Sequence, residues 1–157
     1  VRNSRINILF LIFSLFIFSN SFACYKVVKV SDGDTIDIEF NGNVNRYRIL
    51  GIDAFDKKRK YIEKQMNRTN LDLLDILIKY ENAKRFAENN LLNKCVEVKG
   101  DIKAGRDPFN RKLAYIYIES KDYSKMILEQ GLAMVYCENK KIAKFEEYQQ
   151  ISQWKCK

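Results

Sequence analysis

Tyr25–Ile52, YKVVKVSDGDTIDIEFNGNVNRYRILGI, is the stretch whose pattern decides the fold. Tyr25 to Ser31 alternates apolar and polar residues and ends at Asp32-Gly33. A second alternating run, Thr35 to Phe40, follows at once. Period two marks a half-buried strand. Asn41-Gly42 is a strong hairpin turn pair, and Val44 to Ile52 reads as a third strand. Three strands joined by tight turns make a meander.

Downstream, the character changes at Asp56. Lys57, Lys58, Arg59, Lys60, Lys64 and Arg68 face only Glu63, and a leucine-rich stretch, Leu71 to Ile78, comes next. From Tyr80 to Leu92, Ala83, Phe86, Ala87 and Leu91 recur at helical spacing. Cys95 to Lys99 and Lys112 to Ile118 read as two more strands. Asp122 is placed to cap a helix running to Gln130 with Gly131 beyond its end, and Lys140 to Trp154 reads as a last helix. Five strands with helical segments after the third and at the end describe an α+β chain, mainly β. They fit a five-stranded barrel of the OB type with about three helices. The strand count follows from the pattern; barrel closure does not.

The chain has 157 residues, 28 Lys+Arg against 20 Asp+Glu, and no His. Its length suits one domain, and a hydrophobic fraction of 46% excludes a disordered chain. The missing His excludes Ser-His-Asp and Cys-His nucleophile systems and His-ligated zinc. Catalysis must therefore rest on carboxylates, Arg, Lys, Tyr, Cys or a metal held by oxygen or sulfur.

Residues 1–23 read as a signal peptide. Arg2 and Arg5 precede ten apolar residues among the eleven from Ile8 to Phe18, and Ser21-Phe22-Ala23 offers small residues to a peptidase. The competing readings are an uncleaved anchor and acylation at Cys24. Cleavage near Ala23-Cys24 leaves a domain over 24–157 with net charge +6, secreted or periplasmic. In that compartment Cys24, Cys95, Cys137 and Cys156 are expected as disulfides, with three pairings open. A four-thiolate zinc site lacks any Cys-x-x-Cys pair.

Asp32-Gly33-Asp34-Thr35 taken alone reads as an ordinary turn. In Arg48-Ile49-Leu50-Gly51-Ile52-Asp53-Ala54-Phe55-Asp56, however, an arginine lies within a strand and carboxylates sit just past its end. In a meander Asp34 comes near Asp53, and two such carboxylates repel unless a cation lies between them. With oxygen donors only, that cation is hard, Ca²⁺ or Mg²⁺. Arg48 and Arg111 add guanidinium forks suited to a phosphodiester, although each alone reads equally as a surface ion pair.

The set DGDT (32–35), RILGIDAFD (48–56), DPFNRKLAYIY (107–117) and GLAMVY (131–136) resembles the staphylococcal nuclease, or thermonuclease, family in order and spacing. The likeness covers essentially all of residues 25–154. It implies a closed OB barrel with three helices and a Ca²⁺-dependent, sugar-nonspecific nuclease. Such an enzyme cuts DNA and RNA to 3′-phosphate products; a preference for single strands, a monomer and no obligatory protein partner are expected with it. By position, the resemblance makes Asp34, Asp53 and the backbone carbonyl of Ala54 ligands of one Ca²⁺. It makes Arg48 and Arg111 the catalytic arginines, and puts Asp56 where the family has a Glu acting on water. Pro108-Phe109 stands where the family has a phosphate-binding Lys-Tyr pair. Phe109 and Tyr136 are then candidates to stack on bases. Lys57 and Lys58 open a basic strip for the nucleic-acid backbone, or else a solvated charged face. Tyr115 and Tyr117 share one strand face and read as core. The alternatives to an enzyme are a non-catalytic OB module for single-stranded nucleic acid and an envelope structural protein.

Overall fold

The computed structural model describes residues 24–105 and 107–156. The expected signal peptide, 1–23, lies outside them. Eight strands and four helices follow one another as β1 (Tyr25–Asp32), β2 (Thr35–Phe40), β3 (Asn43–Ile49), β4 (Ile52–Ala54), α1 (Arg59–Thr69), α2 (Leu73–Leu91), β5 (Cys95–Lys99), β6 (Lys112–Ile118), β7 (Lys121–Asp122), α3 (Tyr123–Glu129), β8 (Ala133–Val135) and α4 (Phe145–Ile151).

The main sheet runs β3-β2-β1-β5-β6-β7, and a parallel pairing of β3 with β6 closes it into a five-stranded barrel. Closure removes the two open edges that a five-stranded sheet would otherwise expose. The β2–β3 hairpin turns on Asn41 and Gly42, at φ 50° and 77°, as the Asn-Gly signal requires. Val27, Ile36, Ile38, Ile49 and Ile116, each at most 1% exposed, fill the interior. Helix α2 lays Ile76, Tyr80, Ala83, Ala87 and Leu91 inward, a stripe at spacings of three and four.

Three expectations need correction. The third strand does not run on to Ile52: it stops at Ile49, and a separate strand β4 pairs antiparallel with β8. Gly51 makes the break, at φ 82°, with a hypothetical Cβ only 2.3 Å from the buried Tyr148 ring. No side chain fits there. The helix expected from Tyr80 begins at Leu73, capped by Asp72, whose side chain accepts from the Asp75 N–H at 2.8 Å. Ahead of it α1 makes a fourth helix, ended by Asn70 at φ 59° with its N–H on Met66 O. The last helix is only Phe145–Ile151. Side chains hold the backbone before it: Asp101 Oδ2 accepts from the Ala143 N–H at 2.7 Å, and Tyr115 Oη accepts from the Lys144 N–H at 3.4 Å.

The capped helix at Asp122 forms as expected, with Asp122 Oδ1 accepting from the Ser124 and Lys125 N–H groups. All four cysteines pair, Cys24 with Cys95 and Cys137 with Cys156. A second apolar cluster of Phe55, Ile76, Tyr80, Met134 and Trp154 lies beside β4 and β8, with Ile62 and Met66 of α1 packed on it. Fully burying a Phe55-sized side chain stabilises by roughly 1.5–3 kcal/mol.

Candidate active site

Barrel register builds the site. Thr35 opens β2 directly opposite Arg48 on β3, and Arg48 lies beside Leu113 of β6. The Ile49 N–H donates to Asp34 O at 2.8 Å, which fixes the turn residue before Thr35 against the same strand. Because side chains alternate along a strand, Asp34 and Arg48 are brought to one rim of the barrel.

Asp34 is 6% exposed and fully engaged. Its Oδ2 accepts from the Ala54 N–H at 2.7 Å, and its Oδ1 accepts from the Thr35 hydroxyl at 3.0 Å and pairs with Arg48 Nη1. The other guanidinium nitrogen, Nη2, donates to Asp53 Oδ1 at 3.0 Å. One guanidinium thus bridges two carboxylates from β4 and the β1–β2 turn. Gly33 makes this approach possible: a Cβ there would stand 2.7 Å from Ala54 Cβ and 3.0 Å from Ala83 Cβ.

Arg111, at the entry to β6, clasps Asp107 with Nε and Nη2, at 3.0 and 2.9 Å from its two carboxylate oxygens. Its remaining nitrogen, Nη1, reaches Thr35 Oγ1 at 3.3 Å. Thr35 therefore touches both halves of the site, since its hydroxyl also meets Asp34. Burial pushes the Asp107 carboxyl up, but the Arg111 guanidinium and the N–H groups of Arg111 and Phe109 overcome it and hold it below the usual range.

Asp56 stands apart from this cluster. It accepts from the Lys58 N–H at 2.8 Å, with Lys58 Nζ at 3.8 Å, in the loop leading to α1. Lys58 is well exposed, and Lys57 Nζ sits 5.0 Å from the Tyr80 ring centroid. Phe109 is 64% exposed, with the Arg111 guanidinium 5.2 Å from its ring. Tyr136 follows β8 and its ring lies 5.7 Å from the Arg48 guanidinium. Burial, and then the bond to Glu138, push its phenol up to about 12. Tyr115 is core, as expected, and its hydroxyl donates to Asp101 Oδ2 at 2.7 Å. A cleft of about 690 Å³ runs from Arg48 and Arg111 past Phe109 and Tyr136 to Lys103 and Lys141.

Sequence reasoning missed Thr35, Asp107 and Glu138. The i,i+4 spacing of Asp107 and Arg111 was the available signal for one of them.

The donor set fits a hard cation in part. Asp34 Oδ1 and Asp53 Oδ1 converge on a single cationic group, and Ala54 follows Asp53 in the chain and donates its own N–H to Asp34 Oδ2. Among the described residues no group of three or more His, Cys, Asp or Glu meets. Any ion held there must complete its sphere with backbone carbonyls and water, as Ca²⁺ and Mg²⁺ do and as zinc in a structural site does not.

Comparison with known proteins places the chain in a family. A family model described as Staphylococcal nuclease homologue matches residues 46–157. An uncharacterized protein of Methanocaldococcus jannaschii is 36% identical over 123 residues, covering 73% of this chain and 59% of that protein. A thermonuclease of Staphylococcus hyicus is 27% identical over 109 residues, 69% of this chain and 57% of its own length. An SPbeta prophage-derived endonuclease of Bacillus subtilis is 30% identical over 107 residues, 68% of this chain and 32% of its own. The chain spans a little over half the length of the first two relatives and about a third of the last.

Proposed function

Because the chain belongs to the staphylococcal nuclease family, we propose that it hydrolyses phosphodiester bonds of DNA and RNA in a calcium-dependent, sugar-nonspecific reaction. The observation that carries this reading is the pair Asp34 and Asp53 turned onto one guanidinium, with a second guanidinium one threonine away.

Charge counting gives the physical reason. Asp34, Asp53 and Arg48 sum to −1, while Arg111 with Asp107 and Lys58 with Asp56 each sum to zero. The carboxylate cluster alone, at net −1, repels a polyanion; one divalent ion on the two carboxylates reverses its sign to +1. Asp34, Asp53 and the Ala54 carbonyl would hold that ion, which when bound polarises phosphate oxygens as a Lewis acid.

The chain's own groups do the rest. Arg48 and Arg111 grip the non-bridging phosphate oxygens, and their charge strengthens its hold as negative charge builds in the transition state. Arg111 keeps its planar orientation because Asp107 takes one edge of the fork. For Asp56, which stands apart from the two carboxylates, to receive the proton of the attacking water, the loop before α1 must turn it toward the phosphate. The water oxygen bonds to phosphorus, the bond to the 5′ oxygen breaks, and that oxygen leaves with a solvent proton. The product keeps a 3′-phosphate. Phe109 and Tyr136 supply faces for bases of a single strand, and Lys57 and Lys58 offer charge to its backbone. The protein acts as a monomer, secreted or periplasmic after loss of residues 1–23; two disulfides support an oxidising compartment.

The test is digestion of denatured DNA in calcium, with and without EDTA. The reading requires EDTA to abolish cleavage and Arg111→Ala to cost orders of magnitude. Full activity in EDTA refutes it, and tight single-strand binding without cleavage assigns the chain to the binding-module alternative.

A further inference from the structure

Glu138 is an odd neighbour for a cleft meant to receive a polyanion, unless its charge is committed to something else. Its Oε1 meets Lys64 Nζ at 2.6 Å, and its Oε2 accepts from the Tyr136 hydroxyl at 2.8 Å. The Tyr136 ring lies against the Arg48 guanidinium. An unbroken series of contacts therefore runs from helix α1, through Glu138 and Tyr136, to the arginine that bridges Asp34 and Asp53.

The backbone of the same segment is held by the same helix. Lys64 and Arg68 are four residues apart and so share one face of α1. Arg68 Nη2 donates to Val135 O at 2.6 Å and to Trp154 O at 3.3 Å. On its other side the Tyr136 N–H donates to Gly51 O at 3.0 Å, and the next residue is tied by the Cys137–Cys156 disulfide. Desolvation draws the Arg68 guanidinium down, while the charge of Asp53 opposes that shift. With the backbone fixed by Arg68, the side-chain torsions of Tyr136 are the remaining freedom, and Glu138 restrains them through the hydroxyl.

We infer that Glu138, braced by Lys64, is a positioning residue that holds the Tyr136 ring against Arg48 and so restricts where the guanidinium meets the phosphate. This rests on the nuclease reading given above. Both Glu138 and Lys64 are about 60% exposed, so their pair contributes little to stability and its removal leaves the fold intact.

The experiment compares Glu138→Gln, Lys64→Met, Tyr136→Phe and the double variant Tyr136→Phe/Glu138→Gln in the full chain. Hydrolysis of denatured DNA in calcium is expected to show kcat lowered about three- to tenfold in Glu138→Gln, with KM within about twofold. Lys64→Met should fall about two- to threefold in the same direction. The double variant should be no worse than the worse single one, since the two groups act as a unit. Two readouts need no turnover. The Tyr136 phenol, followed by difference absorbance against Tyr136→Phe, should titrate near 12 in the parent and move toward its ordinary value in Glu138→Gln. The Arg48 side-chain N–H resonance should lose its ring-current shift. Unchanged kcat in Glu138→Gln, or additive losses in the double variant, overturns the inference. If the parent chain does not cut at all, the nuclease reading fails by itself; the inference is then decided by the titration and the resonance, and an unmoved phenol overturns it.

Discussion

Arg111→Lys is the sharpest perturbation of the site, because it keeps the charge and removes only the fork. Alanine would leave the Asp107 side chain, 5% exposed, without a cation, and would mix a stability defect into the kinetics. Lysine keeps a cation beside that carboxylate. In the parent, Nε and Nη2 are spent on Asp107 and Nη1 is turned toward Thr35, leaving one planar edge for the phosphate. An ammonium answering Asp107 has no second nitrogen held in that plane. The loss is one preorganised charged donor to an oxygen that gains charge in the transition state, about 3 kcal/mol, or ~10²-fold in rate. It falls on kcat, since the ground-state diester carries less charge at the same oxygen. Thermal unfolding should move little, because one of two bonds to Asp107 survives. The assay is kcat and KM on denatured DNA, with melting followed by circular dichroism. A variant that keeps half the parental kcat would show that Arg111 acts as a bulk charge and refute the fork argument.

Gly51→Ala should be destabilised by about 2–5 kcal/mol, from a non-glycine residue at φ 82° and from overpacking against Tyr148, measured by urea unfolding. Removing Cys24–Cys95 should cost about 4 kcal/mol and removing Cys137–Cys156 about 3, from closed loops of 71 and 19 residues, again read by urea midpoints. Burial raises the phenols of Tyr115, Tyr123, Tyr136 and Tyr148, so the folded chain keeps protons that the unfolded chain releases. Their contribution is fully present below about pH 10 and declines as pH climbs through the folded values, so the melting temperature should drop steadily on the alkaline side. Glu138, drawn down by Lys64 and then Tyr136, acts in the opposite sense: its share is present above about pH 4 and disappears as pH falls through its lowered value. Tyr136→Phe should flatten part of the alkaline decline in melting scans.

Much of the barrel was legible because its signals are local. Cys95–Lys99 and Lys112–Ile118 form strands with the bounds their alternation gives. Asn41-Gly42 turns the hairpin, and Asp122 caps α3. The break at Gly51 was not legible. Its cause is the ring of Tyr148, nearly a hundred residues away, which excludes a Cβ from the path of the chain. The start of α2 was missed for another reason. Thr69-Asn70-Leu71-Asp72 holds both a helix stop and a helix cap, yet the leucines around it carry no clear period, so the pattern of apolar residues outweighed the capping residues.

At the site, the same distinction separates what sequence carried from what it did not. Asp34 and Arg48 can be brought together from sequence because they sit at facing ends of consecutive hairpin strands, where register follows turn length and period, whereas Asp53 lies on β4, past the break at Gly51. Thr35 faces Arg48 for that reason alone. Glu138 and Lys64 are 74 residues apart, and no periodicity links a loop after β8 to a helix inserted before β5. Their meeting depends on the two-stranded β4–β8 sheet, which carries Tyr136 beside Gly51, and on the apolar cluster of Phe55, Met134 and Trp154, which seats α1. That dependence has a chemical consequence. Asp34 and Arg48 are held by the barrel itself, whereas the ring packed on Arg48 is held by a helix resting on a smaller, separate core. Local opening follows the least protected contacts. A fluctuation that lifts α1 would therefore release Tyr136 while Asp34 stays bonded to Ala54, and the guanidinium would lose its wall before it loses its carboxylates.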